Sequence, residues 1–332
     1  MIGMSQMGQG KAPYNVAKRS VLGPIKWERR MGMGDGFGQT SASFDFGKGE
    51  LVTVSSCCVM GSQAEDAVMY AFRQAENEML AAGGELTGVR PMFLFPSGEE
   101  ETLAAAWGNA LDGLCRERGC FVFGIQAAGS QGVLSPVCML TGYGIRNREC
   151  PKVLPGWDIV AVGHIGTEGI VMLTRGKREA LETRFAFEFI EKAASFQEEL
   201  SIRHMMEALD NDQPVLVHAL GEGGVFAGLW NLAERTGLGL RVRLLDIPVR
   251  QETVEISEFF ELNPYQMMAQ GMAFFVTEHG EDLAGRMRRL GIRAQVIGKM
   301  TDKKARVIVN GEEERFLDRP AADEMYKTGI LV

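Results

Sequence analysis

The residues best placed to do chemistry are grouped at Val217-His218-Ala219-Leu220-Gly221-Glu222-Gly223-Gly224. A short apolar strand, 214–217, runs into a glycine cluster and then into an amphipathic helix that opens Val225-Phe226-Ala227. Such a helix start presents bare backbone N–H groups and the positive end of the helix dipole, which suits a phosphate or another anion. Gly221, Gly223 and Gly224 allow close approach of a ligand or a positive φ. The same pattern also serves as a tight strand-to-helix turn that holds nothing. His218, at the strand end, is a candidate proton donor; its alternative role is a histidine satisfied by backbone. Glu222 puts negative charge where a phosphate would sit. It therefore opposes a triphosphate and favours a cationic or metal-bearing ligand.

A second group lies near the start. A glycine-rich stretch from Met31 to Gly38, with glycines at 32, 34, 36 and 38, also contains Asp35, with Asp45 shortly after. Gly34, Gly36 and Gly38 can cradle an anion through backbone amides, or form a plain flexible arm. Asp35 and Asp45 are the nearby carboxylates that could hold a metal; a solvated loop is the alternative for each. The six cysteines, at 57, 58, 115, 120, 138 and 150, form no C-x-x-C pair. Cys57 and Cys58 are adjacent in an apolar strand, so their side chains point to opposite faces. The four histidines have no metal-ligand spacing.

The elements that must position these residues follow from periodicity. Strands are expected at 51–59, 90–95, 120–125 and 137–142. Between them lie helices at 64–82, with Val68, Phe72, Ala75 and Met79 inward, and at 99–117, with Leu103, Trp107, Leu111 and Leu114 inward. Pro151 and Pro155 flank a break at 147–156. Beyond it the pattern predicts a strand at 158–162, a glycine loop at 163–169 and a long helical region at 177–210. After the glycine-cluster unit come a strand at 240–245, a helical segment at 254–262 and a strand at 273–277. A helix at 281–290 and strands at 293–297 and 305–309 close the chain. The expected class is α+β in two domains, 1–150, with 1–30 as an arm, and 151–332.

Composition sets the outer limits. At 332 residues the chain exceeds one ordinary core. It is 45% hydrophobic and 23% charged with a net charge of −8. That balance argues against nucleic acid or an anionic membrane as the main partner. No run reaches the roughly 18–20 apolar residues of a membrane span. Residues 1–18 lack an apolar signal-peptide core. With the cysteine usage, the expectation is a reduced, cytoplasmic protein.

With these motifs in order, the stretch from about 50 to 315 resembles the superfamily of aminoimidazole ribonucleotide (AIR) synthetase, selenophosphate synthetase, thiamine-monophosphate kinase and the hydrogenase-maturation dehydratase. The resemblance is carried by His218–Glu234, by Gly237-Leu238-Gly239-Leu240-Arg241-Val242, and by Ile247-Pro248-Val249-Arg250-Gln251-Glu252-Thr253-Val254. Leu262-Asn263-Pro264-Tyr265, Gly163–Gly169 and Asn77-Glu78-Met79-Leu80-Ala81-Ala82-Gly83-Gly84 add to it. It implies a homodimer whose first-domain sheets share a barrel, with ATP in a cleft between the domains. A glycine-rich N-terminal segment would cover the phosphates and aspartates would hold Mg²⁺. The implied chemistry is attack of an oxygen or selenide on a phosphorus of ATP, where positioning and charge neutralisation do most of the work. On this basis Glu78 becomes a candidate catalytic residue and metal ligand. Asn77 and Gly166 join Gly34, Gly36, Gly38, Gly221, Gly223 and Gly224 as candidate cofactor contacts.

The chain departs from the family at its carboxylates. Where the family has an Asp-Asp pair, this sequence reads Gly38-Gln39-Thr40-Ser41-Ala42-Ser43-Phe44-Asp45. Its Thr-Thr-Asp appears as Val54-Ser55-Ser56-Cys57, and Gln126 stands near another aspartate position. Magnesium needs oxygen ligands that usually include carboxylates. The dehydratase branch also ends in a reactive cysteine, whereas no cysteine follows Cys150 here. Two functions stay open. One is an ATP-dependent ligase, kinase or dehydratase using Glu78 with Asp35 or Asp45. The other is an inactive relative, acting as a dimeric binding or scaffolding module for a small molecule or a maturation partner protein.

Overall fold

A computed structural model describes residues 41–45 (backbone path alone), 50–61, 63–99, 101–209 and 214–332. Gly34, Asp35, Gly36 and Gly38 lie outside the described residues, as does the side chain of Asp45.

Strand β2 (Glu50–Val59) turns Val52, Val54, Ser56 and Cys58 inward and leaves Ser55 and Cys57 exposed, the period-2 alternation of a half-buried strand. It pairs antiparallel with β1 (Ser41–Asp45) and with β6 (Val137–Arg146), from Leu51↔Ile145 to Val59↔Val137. β6 pairs antiparallel with the long β3 (Gly84–Pro96), whose other edge carries β4 (Phe121–Val122) and β5 (Gln126–Ser130) in parallel. Helix α1 (Ala67–Ala81) lies on the inner face through Val68, Phe72, Ala75 and Met79, as its spacing predicts. Helix α2 (Glu101–Arg118) buries only Trp107, Leu111 and Cys115, one narrow stripe. The third strand begins six residues earlier than the sequence pattern indicated. Gly83, at φ 79°, turns the chain directly out of α1 into β3 with no intervening loop.

The second sheet has the order β13-β12-β9-β11-β7-β10-β8. Its middle strands β7 (Asp158–Val162) and β10 (Ala273–Thr277) are buried along their whole length, which explains their near-continuous apolar runs. β8 (Leu216–Ala219) lies outside β10, and β11 (Ala294–Thr301) joins β7 to β9 (Gly239–Arg243). β12 (Arg306–Asn310) runs parallel to β9, and β13 (Glu313–Phe316) completes the edge.

Helix α3 (Thr167–Gly176) starts inside the stretch expected to be a glycine loop, because Gly166 turns at φ 64° and releases the chain into a helix. The expected long helix at 177–210 is instead α4 (Arg178–Glu182), α5 (Phe187–Ala194), a 3₁₀ turn and α6 (Arg203–Glu207). Extended Ala186 breaks it, at φ −65° and ψ 151°. Helix α7 (Gly224–Thr236) follows the glycine cluster. α8 (Gln251–Phe259) and α9 (Gly280–Arg289) pack later in the chain. No helix among the described residues is long and apolar enough to cross a membrane.

The two sheets share part of their core, while a further cluster around Ile159, Leu229 and Phe274 belongs to the second sheet alone. One apolar cluster joins Val52, Phe72 and Leu140 of the first sheet layer to Ile170, Phe196, Met267, Met325 and Ile330. The C-terminal segment closes this seam: Met60 and Leu331 form a bridge, and the Gly61 amide donates to the Ile330 carbonyl at 2.8 Å.

Candidate functional site

The glycine cluster occupies the junction between β8 and α7. Gly223 and Gly224 take φ of 80° and 61°. A Cβ on Gly224 would stand 2.5 Å from the Met267 carbonyl oxygen and 2.8 Å from that of Tyr265, so only glycine fits. Gly221 has no atom within 4 Å of its would-be Cβ; its role is to receive the Ala269 amide at 3.2 Å through its carbonyl. The second glycine turn lies across the same segment. A Cβ on Gly166 would meet Thr253 Cγ2 at 3.2 Å, the Pro264 carbonyl at 3.6 Å and Met267 Cβ at 3.8 Å. Residues 264–270 therefore run between the two glycine turns and hold them together.

The helix start is not empty. The Gly223 amide donates to Asp323 Oδ2 at 2.6 Å, and the Met325 amide donates to Asp323 Oδ1 at 2.9 Å. Asp323 is 2% exposed. Burial pushes its carboxyl up to about 7 against the lowering effect of the Met325 and Gly223 N–H bonds, and the charge of Glu222 pushes it further. Half-buried Glu222 receives the Tyr326 hydroxyl at 3.4 Å. Burial is also the main reason the Tyr326 phenol is raised, with Glu222 second.

A second buried carboxyl stands beside it. Glu168, in the first turn of α3, accepts the Gln270 amide at 3.1 Å and Gln270 Nε2 at 2.7 Å. Gln270 Nε2 also reaches the Tyr70 carbonyl on α1 at 3.2 Å, which ties this cluster to the first sheet layer. Burial pushes Glu168 up to about 8, opposed by the Gln270 backbone bond and reinforced by Asp323. Cys58, on β2, is raised well above the ordinary thiol range by burial, with Cys138 and Glu168 adding to it. The cluster thus holds two carboxyls poised near neutrality on α3 and the C-terminal segment.

The other candidates lie elsewhere. His218 is 8% exposed on β8, opposite Phe274 of β10 in register. Asn77 is 1% exposed, and its amide is committed across the seam: Nδ2 donates to the Leu200 carbonyl at 2.8 Å and Oδ1 accepts the Ile202 amide at 2.9 Å. Glu78 is half-buried on the same helix. Its neighbour Glu76, fully buried, is the stronger electrostatic centre. Arg118 Nε lies 2.6 Å away, Arg73 Nη1 3.0 Å and Arg203 Nε 3.2 Å, and Ser201 Oγ donates at 3.0 Å. Asp45 ends β1 opposite Glu50. Among the described residues, no three His, Cys, Asp or Glu side chains are arranged to hold a metal ion.

Glu168, Asp323, Tyr326 and Glu76 were not singled out from the sequence as site residues. Glu168 had a local signal, since it directly follows Gly166-Thr167. Asp323 had none; it is an aspartate in a polar stretch a hundred residues from its partner.

At the glycine cluster, the residues do not fit a triphosphate. The amide that would bind a phosphate oxygen already binds a carboxylate, and Glu222 adds a second one.

Residues 155–310 match the family described as AIR synthase related protein, C-terminal domain. This second half of the chain is thus similar to the C-terminal domain of AIR synthase-related proteins. A curated relative, phosphoribosylformylglycinamidine synthase subunit PurL of Caldanaerobacter subterraneus subsp. tengcongensis, is 28% identical over 123 residues, 35% of this chain but only 16% of that protein. The whole AIR synthase-like fold is seen in solved structures. Hydrogenase maturation protein HypE in complex with ATP is 16% identical with a TM-score of 0.66, over 96% of this chain and 97% of that one. A HypE–HypF complex is 18% identical with a TM-score of 0.63, over 84% and 93%. At these identities the likeness is one of fold.

Proposed function

We propose that this AIR synthase-related chain is a non-catalytic relative, a dimeric binding or scaffolding module whose glycine turn serves the side-chain carboxylate of its own Asp323 instead of a phosphate. The observation that carries this reading is the Gly223–Asp323 contact of 2.6 Å. Two features support it. Asp323 and Glu168 are held near or above neutrality, and a protonated carboxyl is a poor magnesium ligand. Asn77, a candidate cofactor contact, spends its amide on residues 200 and 202.

The dimer in this reading forms through the open face of the first sheet, where Met92, Met139 and Ile145 are exposed, with Phe121, Phe123 and Ile125 along its edge. Such a face needs cover. The two domains, 1–150 and 151–332, would then form the shared barrel and its flanks, in the cytoplasm. A maturation partner protein belongs to the same reading, supported by the fold likeness to HypE in its complex with HypF.

A second reading is favoured by one specific finding, the fold likeness to a HypE that holds ATP. It keeps Mg-ATP chemistry on an oxygen. Glu78 with Asp35 or Asp45 would hold the metal, His218 would supply a proton, and Gly34, Gly36, Gly38, Asn77, Gly166 and the 221–224 turn would be contacts.

Calorimetric titration of the full chain with ATP, with and without Mg²⁺, separates the two when run beside a phosphate-release assay. The first reading expects no Mg-dependent binding and no phosphate release above buffer. Mg-dependent turnover that is lost in Glu78→Gln overturns it in favour of the second.

A further inference from the structure

Helix α2 ends in a geometry that brings two cysteines together. Gly119 takes φ 67°, its amide donates to the Arg116 carbonyl at 3.3 Å, and the Cys120 amide donates to the Cys115 carbonyl at 3.0 Å. This paired 5→2 and 6→1 closure sets the side chain three residues before the helix end against the second residue beyond it. In most helices that contact is apolar. Here it sets thiol against thiol: Cys115 and Cys120 are both buried at this helix end, at 4% and 7% exposure. We propose that Cys115 and Cys120 are a reversible oxidation site, a dithiol that closes to a disulfide across the end of α2.

The two sulfurs are not equivalent. The hydrogen bond from Cys115 lowers the Cys120 thiol, and the same bond raises Cys115. Cys120 is thus the thiol that ionises more readily and attacks first. It attacks one oxygen of a hydroperoxide; the O–O bond breaks, an alcohol or water leaves, and Cys120 becomes a sulfenic acid. Cys115 sulfur then attacks the Cys120 sulfur. The S–O bond breaks, the S–S bond forms, and hydroxide leaves with the Cys115 proton as water. Two thiols are oxidised by two electrons and one hydroperoxide is reduced.

The other close pair does not meet this requirement. Cys58 and Cys138 stand opposite each other on β2 and β6, and burial raises both. Cys57 is exposed on the outer face of the sheet. The 115–120 pair also brackets Arg118, whose ion pair with Glu76 reaches Arg203 and Ser201 across the seam. Its oxidation state is therefore set beside the ties between the two halves of the molecule.

The test is treatment of the native full chain with a few equivalents of hydrogen peroxide, then alkylation of free thiols and trypsin digestion without reductant. Trypsin cuts after Arg116 and Arg118, between the two cysteines. The expected product is a linked pair of peptides carrying Cys115 and Cys120, lighter by two hydrogens, that separates on adding a dithiol reductant. Cys115→Ser and Cys120→Ser should each abolish it, and Cys120→Ser should also prevent trapping of a sulfenic acid on this pair. The proposal is overturned if Cys115 and Cys120 remain fully alkylatable while other cysteines oxidise, or if the linkage found is Cys58 to Cys138.

Discussion

Asp323 Oδ2 lies 2.6 Å from the Gly223 amide nitrogen, so the chain's own C-terminal segment caps the helix start that its sequence marks as an anion site. The relationship joins the most conspicuous motif of the chain to a residue with no motif at all. It makes the glycine turn a structural joint, and the joint can be tested directly.

Removing the cap should be costly. Asp323→Ala leaves the Gly223 and Met325 amides without their acceptor in a buried setting. Each such donor costs about 1–3 kcal/mol. Urea denaturation should show this loss, with Asp323→Asn intermediate because one oxygen acceptor remains. A change below about 0.5 kcal/mol in Asp323→Ala, the range of an ordinary surface substitution, would mean that the contact does not hold the turn.

The two turn glycines should differ sharply. Gly224→Ala forces a Cβ to within 2.5 Å of a backbone oxygen at φ 61°, and should destabilise by about 2–4 kcal/mol. Gly221→Ala meets nothing within 4 Å and should stay within about 0.5 kcal/mol of the parent. Thermal melts of the two variants side by side give the comparison.

Stability should fall as pH rises through neutrality. Glu168 is raised from 4.5 to about 8 and Asp323 from 3.8 to about 7. Between those limits the folded chain holds protons that the unfolded chain has lost, so the stabilisation is complete below about pH 4 and is lost as pH climbs to about 8. The urea midpoint at pH 5 should therefore exceed that at pH 8. Glu168→Gln should flatten the part of this slope between pH 4.5 and 8. An unchanged slope in that variant would assign the effect to other groups.

The seam between the two sheets should depend on α1. Asn77→Ala removes two buried hydrogen bonds to residues 200 and 202, with an expected loss of about 2–4 kcal/mol. Glu76→Ala leaves Arg118 and Arg203 beside an emptied charge site. Breaking a buried pair from one side costs about 3–5 kcal/mol. Hydrogen exchange should localise both losses to α1 and the segment around 195–207. Exchange rising uniformly, with no excess there, would remove the clamp role.

Much of the fold was legible because it rests on local periodicity. The inward stripe Val68, Phe72, Ala75 and Met79 specifies α1, and the apolar runs at 159–162 and 273–276 specify strands buried on both faces. The long helix expected at 177–210 failed because extended Ala186 and the packing of α3, α5 and the 3₁₀ turn against each other override helix propensity. β13 was missed because all its residues are exposed, leaving no alternation to read.

The candidate site divides in the same way. Sequence alone located both glycine turns, since a positive φ favours glycine whatever surrounds it. Glu222 already argued against a triphosphate by its charge. Which group meets the turn was a matter of tertiary structure. Asp323 is brought to Gly223, Gln270 to Glu168, and Arg118 and Arg203 to Glu76 by packing between segments up to about 130 residues apart. No local pattern encodes these pairings, because burial, which shifts both carboxyls and fixes the partners, exists only once the two sheets and the C-terminal segment have closed on one another.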